Sequence, residues 1–225
     1  MSLTRLADAE LGAAGLVLQG VLATSGLTLP VEAARFRQLL VFGHAGPRIW
    51  QASSVRSDEY DRLDRFSEGL VVDFMRRIDV DDFHLLYPRD YLAVDLSELG
   101  ERLGWQHRSP MGIGVHPEYG TWFAYRAVVA ADTDYEPTQE RSPHPCHTCQ
   151  ARPCITACPA SAVDEVAFNF DACSEHRLGP ASSCAAQCLA RLACPVGAVH
   201  RYDDEQISYH YRLSLAAIRA YQNRR

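Results

Sequence analysis

The chain has 225 residues, of which 47% are hydrophobic, and its 22 basic residues, all arginine, stand against 28 acidic ones for a net charge of −6. This composition can bury the core of one large or two modest domains. Residues 1–140 carry 13 Arg against 21 Asp and Glu, and residues 141–225 carry 9 against 7, so the longer part repels polyanions. The balance argues against a broad phosphate-binding face, and nucleic acid is not an expected partner.

No stretch is apolar for long enough to predict a membrane-spanning helix. The apolar run 11–18 does not resemble a signal peptide, because Asp8 and Glu10 precede it where basic residues would be required. The sequence therefore predicts a cytoplasmic protein, in a compartment where thiols stay reduced.

The first half of the chain predicts alternating helices and strands. Residues 4–25 read as a helix with Gly26 near its end, and residues 37–43 as a buried strand. Ser57 or Asp58 is the predicted cap of a long amphipathic helix that reaches Ile78. Such a helix is expected to place its apolar stripe in the core.

Further elements follow in the middle of the chain. Residues 83–87 predict a strand, and residues 96–103 a short helix ended by Gly104. Residues 111–116 and 121–129 predict the two strands of a hairpin around a turn at 117–120.

Gly112 and Gly114 lie two residues apart and therefore on one side of the predicted hairpin strand. A strand face without side chains admits close approach by a flat ligand, but it equally suits tight strand packing or a bulge. Residues 132–145, with three prolines among polar residues, predict a linker, and Ile207, Tyr211 and Ile218 mark a final amphipathic helix.

All eight cysteines lie within residues 146–194. They are Cys146, Cys149, Cys154 and Cys158, then Cys173, then Cys184, Cys188 and Cys194. Two of them precede proline in similar segments, Cys-Pro-Ala-Ser-Ala-Val from residue 158 and Cys-Pro-Val-Gly-Ala-Val from residue 194. Repeated Cys-Pro corners with short spacings are typical of proteins that hold two 4Fe–4S clusters.

In two-cluster ferredoxins the cysteine before proline binds the other cluster. This crossover predicts a first cysteine set and a second cysteine set. The first set is Cys146, Cys149, Cys154 and Cys194, and the second set is Cys158, Cys173, Cys184 and Cys188.

Three alternatives stay open for the cysteines. Disulfides need an oxidising compartment and are typical of smaller chains, and zinc sites favour two Cys-x2-Cys pairs and give the prolines no role. One cluster with spare thiols is also compatible, because the Cys149–Cys154 and Cys188–Cys194 steps are each two residues longer than the bacterial ferredoxin spacing.

Residues 112–129 carry a resemblance to a known family. Their His-Pro turn, Gly-Thr-Trp-Phe and Arg126 are similar to the cobalamin-processing proteins of the cblC type. Gly104-Trp105 before Trp122-Phe123, followed by cysteines grouped four, one and three, also resembles epoxyqueuosine reductase. The resemblance covers residues 36–199, most strongly at 112–129 and at the cysteines.

The resemblance implies an α+β fold with a nitroreductase-like corrinoid-binding domain over residues 1–140. A ferredoxin-like domain with two 4Fe–4S clusters would follow over residues 141–205, and a C-terminal helix over residues 206–225. All eight cysteines would be metal ligands.

A bound corrinoid would contact eight residues of the 112–126 segment. The resemblance implies a backbone floor at Gly112, Ile113, Gly114 and Val115, apolar walls from Tyr119, Trp122 and Phe123, and the charge of Arg126. Core packing for Trp122 and Phe123, and an ion pair for Arg126, are equally open interpretations.

The expected function is that of an iron–sulfur oxidoreductase, which passes electrons from its two clusters to a bound cobalamin or other corrinoid. An electron-transfer protein without chemistry of its own and a flavin-dependent reductase are the alternatives, although the sequence offers no recognisable phosphate cradle for a flavin. The expected partners are a corrinoid, an external electron donor and, through the final helix, a second copy of the chain. The sequence identifies no catalytic residue and no substrate.

Overall fold

The computed structural model describes residues 8–53, 61–90, 93–138 and 142–224. The helices are α1 (Ala9–Ala13), α2 (Val31–Ala34), α3 (Arg48–Ala52), α4 (Arg62–Arg77), α5 (Leu96–Arg102), α6 (Pro153–Thr156), α7 (Phe170–Leu178), α8 (Leu189–Ala193) and α9 (Asp204–Gln222). The strands are β1 (Val17–Ala23), β2 (Gln38–Ala45), β3 (Phe83–Tyr87), β4 (His107–Arg108), β5 (Gly114–Val115) and β6 (Phe123–Ala131).

The chain divides into two compact units. The first unit comprises residues 1–106 and 123–142, and the second comprises residues 107–122 and 143–225. The division differs from the predicted boundary after residue 140 mainly in the segment 107–122, which groups with the cysteine-containing part of the chain. The C-terminal helix α9 belongs to the same second unit.

The first unit is built on an antiparallel sheet with strand order β1-β2-β6-β3. The two inner strands are buried along almost their whole length, as expected where both faces of a sheet are covered. On one face, Phe74 of α4 packs edge-on against Phe42 of β2, with 5.4 Å between the ring centroids. Helices packed on an antiparallel sheet confirm the predicted α+β class.

The predicted N-terminal helix is wrong for most of its described length. Helix α1 stops at Ala13, and β1 pairs with β2 instead of continuing the helix. Gly15 has a φ of +77°, and a Cβ added to it would lie 2.7 Å from the backbone nitrogen of Ile49. This left-handed residue breaks the helix and lets the apolar run 16–22 enter the sheet.

The predicted hairpin is also wrong in its pairing. Strand β6 is a strand as predicted, but its partners are β2 and β3. The short strand β5 pairs with β4 instead. The reason is that β6 is buried along almost its whole length, so its backbone N–H and C=O groups need a strand partner on each edge.

Several predicted elements are confirmed. They are the strands β2 and β3, the helix α4, the helix α5 followed by Gly104 at a φ of +68°, and the final helix α9. The predicted cap at Ser57 or Asp58 lies outside the described residues. Within the described ranges, no helix combines the length and apolar character that crossing a bilayer requires.

Candidate functional site

The eight cysteines of the second unit are all free thiols, so the disulfide alternative has no counterpart in the structure. Short helices hold most of them in place. Cys146 lies in the 3-10 turn Pro145–His147, Cys154 in α6 and Cys173 in α7, while Cys188 and Cys194 cap the two ends of α8. The second Cys-Pro corner therefore begins where α8 ends.

Two cavities are lined by cysteines. All four thiols of the second cysteine set line the larger of the two, which has a volume of about 410 Å³ and is here called the larger cavity. Further walls come from Met111, Gly112, Phe168 and the α9 residues Tyr211 and Ile218. Protein interiors are close-packed, and a water molecule occupies only about 30 Å³ of liquid. The fold thus leaves room beside these four thiols for a group much larger than one water.

The four thiols of the first cysteine set line a second, smaller cavity of about 20 Å³. Met111 lines both cavities and packs in one apolar cluster with Cys154 and Cys194. A space of 20 Å³ holds about one water, so a cubane at this site requires the thiols to move outward. These two groups of thiols are the two sets that the crossover rule predicts. In each set, the cysteine that precedes proline lies with three cysteines from the other half of the repeat.

The thiols influence one another within their sets. Burial raises the pKa of Cys146 to about 11, and the charges of the other three thiols of the first set add to the rise. Burial also raises the pKa of Cys173, where Arg177 opposes the rise and the other thiols of the second set add to it. Free thiols in this state are protonated near neutral pH, so metal binding would release protons.

The arrangement of the thiols does not suit a single metal ion. Among the described residues, no three His, Cys, Asp or Glu side chains form a group that could hold one ion. Zinc draws four sulfurs to about 2.3 Å from one centre, whereas a cubane receives its thiolates at separate corners. This finding does not favour clusters over zinc, and iron–sulfur ligation stays a prediction.

A buried nitrogen of the larger cavity also has no protein partner. His176 lines this cavity, and its Nε2 atom is buried without a hydrogen-bond partner within the described part of the chain. Buried polar groups in proteins are nearly always bonded. A cluster in the larger cavity would offer sulfur atoms to this nitrogen.

Within the second unit, the predicted corrinoid contacts Gly112, Ile113 and Val115 do not line one cavity. Gly112 and Ile113 line the larger cavity, and an added Cβ on Gly112 would lie 2.8 Å from the Phe168 ring. Val115 is fully buried and lines the smaller cavity. The group that lies close to Gly112 is thus the Phe168 side chain of the protein itself.

The aromatic residues and the arginine of the predicted corrinoid site have partners within the protein. Trp122 is 0% exposed and packs edge-on against Tyr202 in the second unit. Phe123 packs edge-on against Trp105 in the first unit. These contacts match the core interpretation of both side chains, and no step through a corrinoid follows from them.

Arg126, on β6 of the first unit, is 6% exposed and has polar partners on two elements. Its Nε donates to Nδ1 of His44 at 3.1 Å, and its Nη1 lies 3.3 Å from a carboxylate oxygen of Asp64. The contacts of Arg126 in the structure therefore agree with the ion-pair interpretation.

Tyr119, the remaining predicted wall, belongs to a tight turn over residues 116–120. Its ring stacks on His116 with 4.5 Å between centroids. His116 closes the turn, because its Nδ1 accepts the backbone N–H groups of Glu118 at 3.0 Å and Tyr119 at 3.1 Å. Burial, helped by the charges of His107 and His200, lowers the pKa of His116 from 6.5 to about 4.

Protonation of His116 is expected to destabilise the chain as the pH falls from 6.5 towards 4. In this window the unfolded chain binds the proton and the folded chain does not, so stability is full above 6.5 and declines below it. His116→Asn keeps an acceptor for the turn and should remove this part of the pH dependence, whereas His116→Ala should lose about 1 kcal/mol at pH 7.5. Urea unfolding of the three chains at pH 7.5 and 5 measures both effects, and an equal pH dependence for wild type and His116→Asn would contradict this role.

Sequence reasoning missed the polar residues around the second cysteine set. Arg177, Arg191, His176 and Tyr211 all line the larger cavity. They belong to no motif, although Tyr211 lies in the apolar stripe of α9. Two residues of that stripe, Tyr211 and Ile218, line the larger cavity, and Ile207 packs in a cluster with Trp122 and Tyr202. A second copy of the chain on this helix stays a prediction.

Comparisons with known proteins leave the family of this chain open. No family model matches the chain, and no curated protein matches it. A similar solved structure is the crystal structure of a C. elegans B12-trafficking protein CblC, described as a human MMACHC homologue. It is 14% identical, the match covers 96% of this chain and 94% of that chain, and the TM-score is 0.47. A likeness at this level carries no argument about ligand or activity.

Proposed function

We propose that the chain is an iron–sulfur oxidoreductase whose second unit holds two 4Fe–4S clusters, one on each cysteine set. The single observation that carries this proposal is the division of the eight free thiols between two cavities along the lines of the crossover rule. When bound, such clusters accept and donate electrons one at a time. The chain itself would bind them through thiolates and shield them from water.

The environment of the thiols supports this role. The walls of the larger cavity are mainly apolar, from Met111, Phe168 and Ile218, and limit the access of water to a cluster. Backbone N–H groups already approach sulfur. The backbone nitrogen of Ala162 lies 3.4 Å from Sγ of Cys158, and the backbone nitrogen of Arg191 lies 3.4 Å from Sγ of Cys188. Burial and hydrogen bonds to sulfur are the means by which proteins set cluster potentials.

The proposal is tested by electron uptake. The full chain, reconstituted anaerobically with iron and sulfide, is expected to show broad visible absorption that bleaches with dithionite and returns on reoxidation. The reduced sample should give the EPR signals of two 4Fe–4S clusters. A chain reconstituted with zinc is the matched colourless control. An iron-loaded chain whose spectrum does not respond to dithionite would contradict the proposed electron transfer.

A corrinoid as the electron acceptor is the more specific proposal, and it rests on the sequence resemblance at residues 112–129. The reduced chain, freed of dithionite, is mixed anaerobically with hydroxocobalamin and followed by absorbance. The corrinoid proposal expects bleached clusters to recover their colour as the cobalt is reduced. Unchanged spectra of both components would favour electron transfer to another acceptor, and release of a flavin on denaturation would favour the flavin-dependent alternative.

A further inference from the structure

The larger cavity contains a buried positive charge that has no carboxylate partner among the described residues. Arg177 is 7% exposed and lines this cavity. Its three donors reach the backbone oxygen of Cys184 at 3.2 Å, Oγ of Ser214 at 2.9 Å and the backbone oxygen of Tyr211 at 3.1 Å. All three acceptors are neutral. A buried guanidinium is costly unless a negative charge compensates it.

A second arginine lies on the wall of the same cavity. Arg191 is partly buried, with its guanidinium carbon 4.3 Å from the centroid of the Trp122 ring. Its Nη2 donates to the backbone oxygen of Thr121 at 2.5 Å, again a neutral acceptor. Both cations therefore line the cavity, and the acceptors that they reach among the described residues are neutral.

Tyr211 links this group to the sulfur ligands. Tyr211 lines the larger cavity together with Cys188 and Arg191. Burial raises the pKa of Cys188, and a side-chain hydrogen bond from Tyr211 opposes that rise. The backbone N–H of Arg191 lies 3.4 Å from the same sulfur. Cys188 would thus bind a cluster while accepting two hydrogen bonds from the protein.

The smaller cavity differs in its charge. The charged side chain on its wall is Arg152, which forms an ion pair with Glu165 at 2.8 Å. Its side chain is 37% exposed, so solvent and the carboxylate both compensate its charge. Among the described residues that line the smaller cavity, there is therefore no buried cation comparable to Arg177.

We propose that Arg177, Arg191 and Tyr211 give the cluster on the second cysteine set the higher reduction potential of the two, so that electrons collect there. This inference rests on the proposed function. A cluster with four thiolates is net negative and gains a further negative charge on reduction. A buried cation and hydrogen bonds to sulfur stabilise the reduced form more than the oxidised form, which raises the potential.

The test is an EPR-monitored redox titration of the reconstituted full chain, with dithionite as reductant. Two separate potentials are expected for the wild type. Cys146→Ala should retain the higher potential, and Cys173→Ala should retain the lower one. Retention of the lower potential by Cys146→Ala would overturn the assignment without affecting the presence of two clusters.

Arginine variants test the cause of the asymmetry. Arg177→Met should change the ratio of oxidised to reduced cluster about tenfold at a fixed potential, which is about 59 mV to lower values for a one-electron couple. Arg177→Lys keeps the charge and should shift less. Arg219→Gln is the matched control, because Arg219 is exposed and lines neither cavity, and it should leave both potentials unchanged.

The outcomes separate the inference from the proposed function. A chain that binds no clusters contradicts the proposed function. A chain with two clusters whose higher potential is unaffected by Arg177→Met overturns the inference. If Arg177→Met fails to load the larger cavity, Tyr211→Phe decides, since loss of its hydroxyl should lower the same potential and an unchanged value overturns the inference.

Discussion

Replacing Gly197 by alanine is expected to lower the free energy of unfolding by about 2–5 kcal/mol, the sum of left-handed backbone strain and steric overlap. Gly197 has a φ of +65° and lies in the second Cys-Pro corner. A Cβ on this residue would overlap the backbone of Tyr119 and Gly120 in the turn over residues 116–120. Gly120, with a φ of +58°, would overlap the carbonyl of Val196 in the same way.

At these two glycines the backbone of the turn over residues 116–120 passes in close contact with the backbone of the second Cys-Pro segment, a contact called here the crossing. The crossing fixes the position of the segment that carries Cys194. Since the overlap disturbs the position of the segment that carries Cys194, Gly197→Ala is also expected to weaken metal binding at the first cysteine set more than at the second. Gly69→Ala in α4 is the control, because nothing lies within 4 Å of its added Cβ and a helical Gly→Ala change should stabilise by about 0.5–1 kcal/mol. Urea unfolding of the full chains measures the free energy of unfolding of both variants. Equal stabilities of Gly197→Ala and wild type would contradict the crossing.

Double cysteine variants are expected to lose one 4Fe–4S signal when both cysteines line the same cavity and two signals when they line different cavities. The distance between the two cysteines in the sequence should not matter. Cys146→Ala should lose one cluster signal, and Cys146→Ala combined with Cys194→Ala should lose only that same signal. Cys146→Ala combined with Cys158→Ala should lose both, although Cys158 is far closer to Cys146 in sequence. The reason is that Cys146 and Cys194 line the smaller cavity, while Cys158 lines the larger one.

Residues that act as one unit show non-additive effects, so the double variants report which thiols share a cluster. EPR of dithionite-reduced samples gives the readout, with Gly69→Ala as the variant that should keep both signals. Loss of both signals in the Cys146 and Cys194 pair, with one retained in the Cys146 and Cys158 pair, would contradict the crossover.

The sequence predicted the elements of the first unit better than their pairing. Strands β2 and β3 and helices α4 and α5 follow local hydrophobic patterns and end signals, and these are confirmed. For strand β6 the turn at 117–120 predicts a local hairpin, whereas its partners β2 and β3 lie far away in sequence. The apolar run in β1 resembled a helix, since a short run of this kind fits either structure until the left-handed Gly15 is taken into account.

At the candidate site, the grouping of the thiols in space agrees with the crossover rule because the Cys-Pro repeat encodes it. The charged surroundings could not be predicted in this way. Arg177 and Arg191 reach the larger cavity through side-chain contacts with residues from α9 and from the 107–122 segment. Such contacts are set by packing, and the spacing of residues along the chain carries little information about them.

The second unit is proposed to hold two clusters of four irons, each on one cysteine set. The most direct measurement is the content of iron and acid-labile sulfide per chain after anaerobic reconstitution and removal of excess metal. About eight irons and eight sulfides per chain are predicted. About four of each, or zinc bound in preference to iron, would contradict the claim.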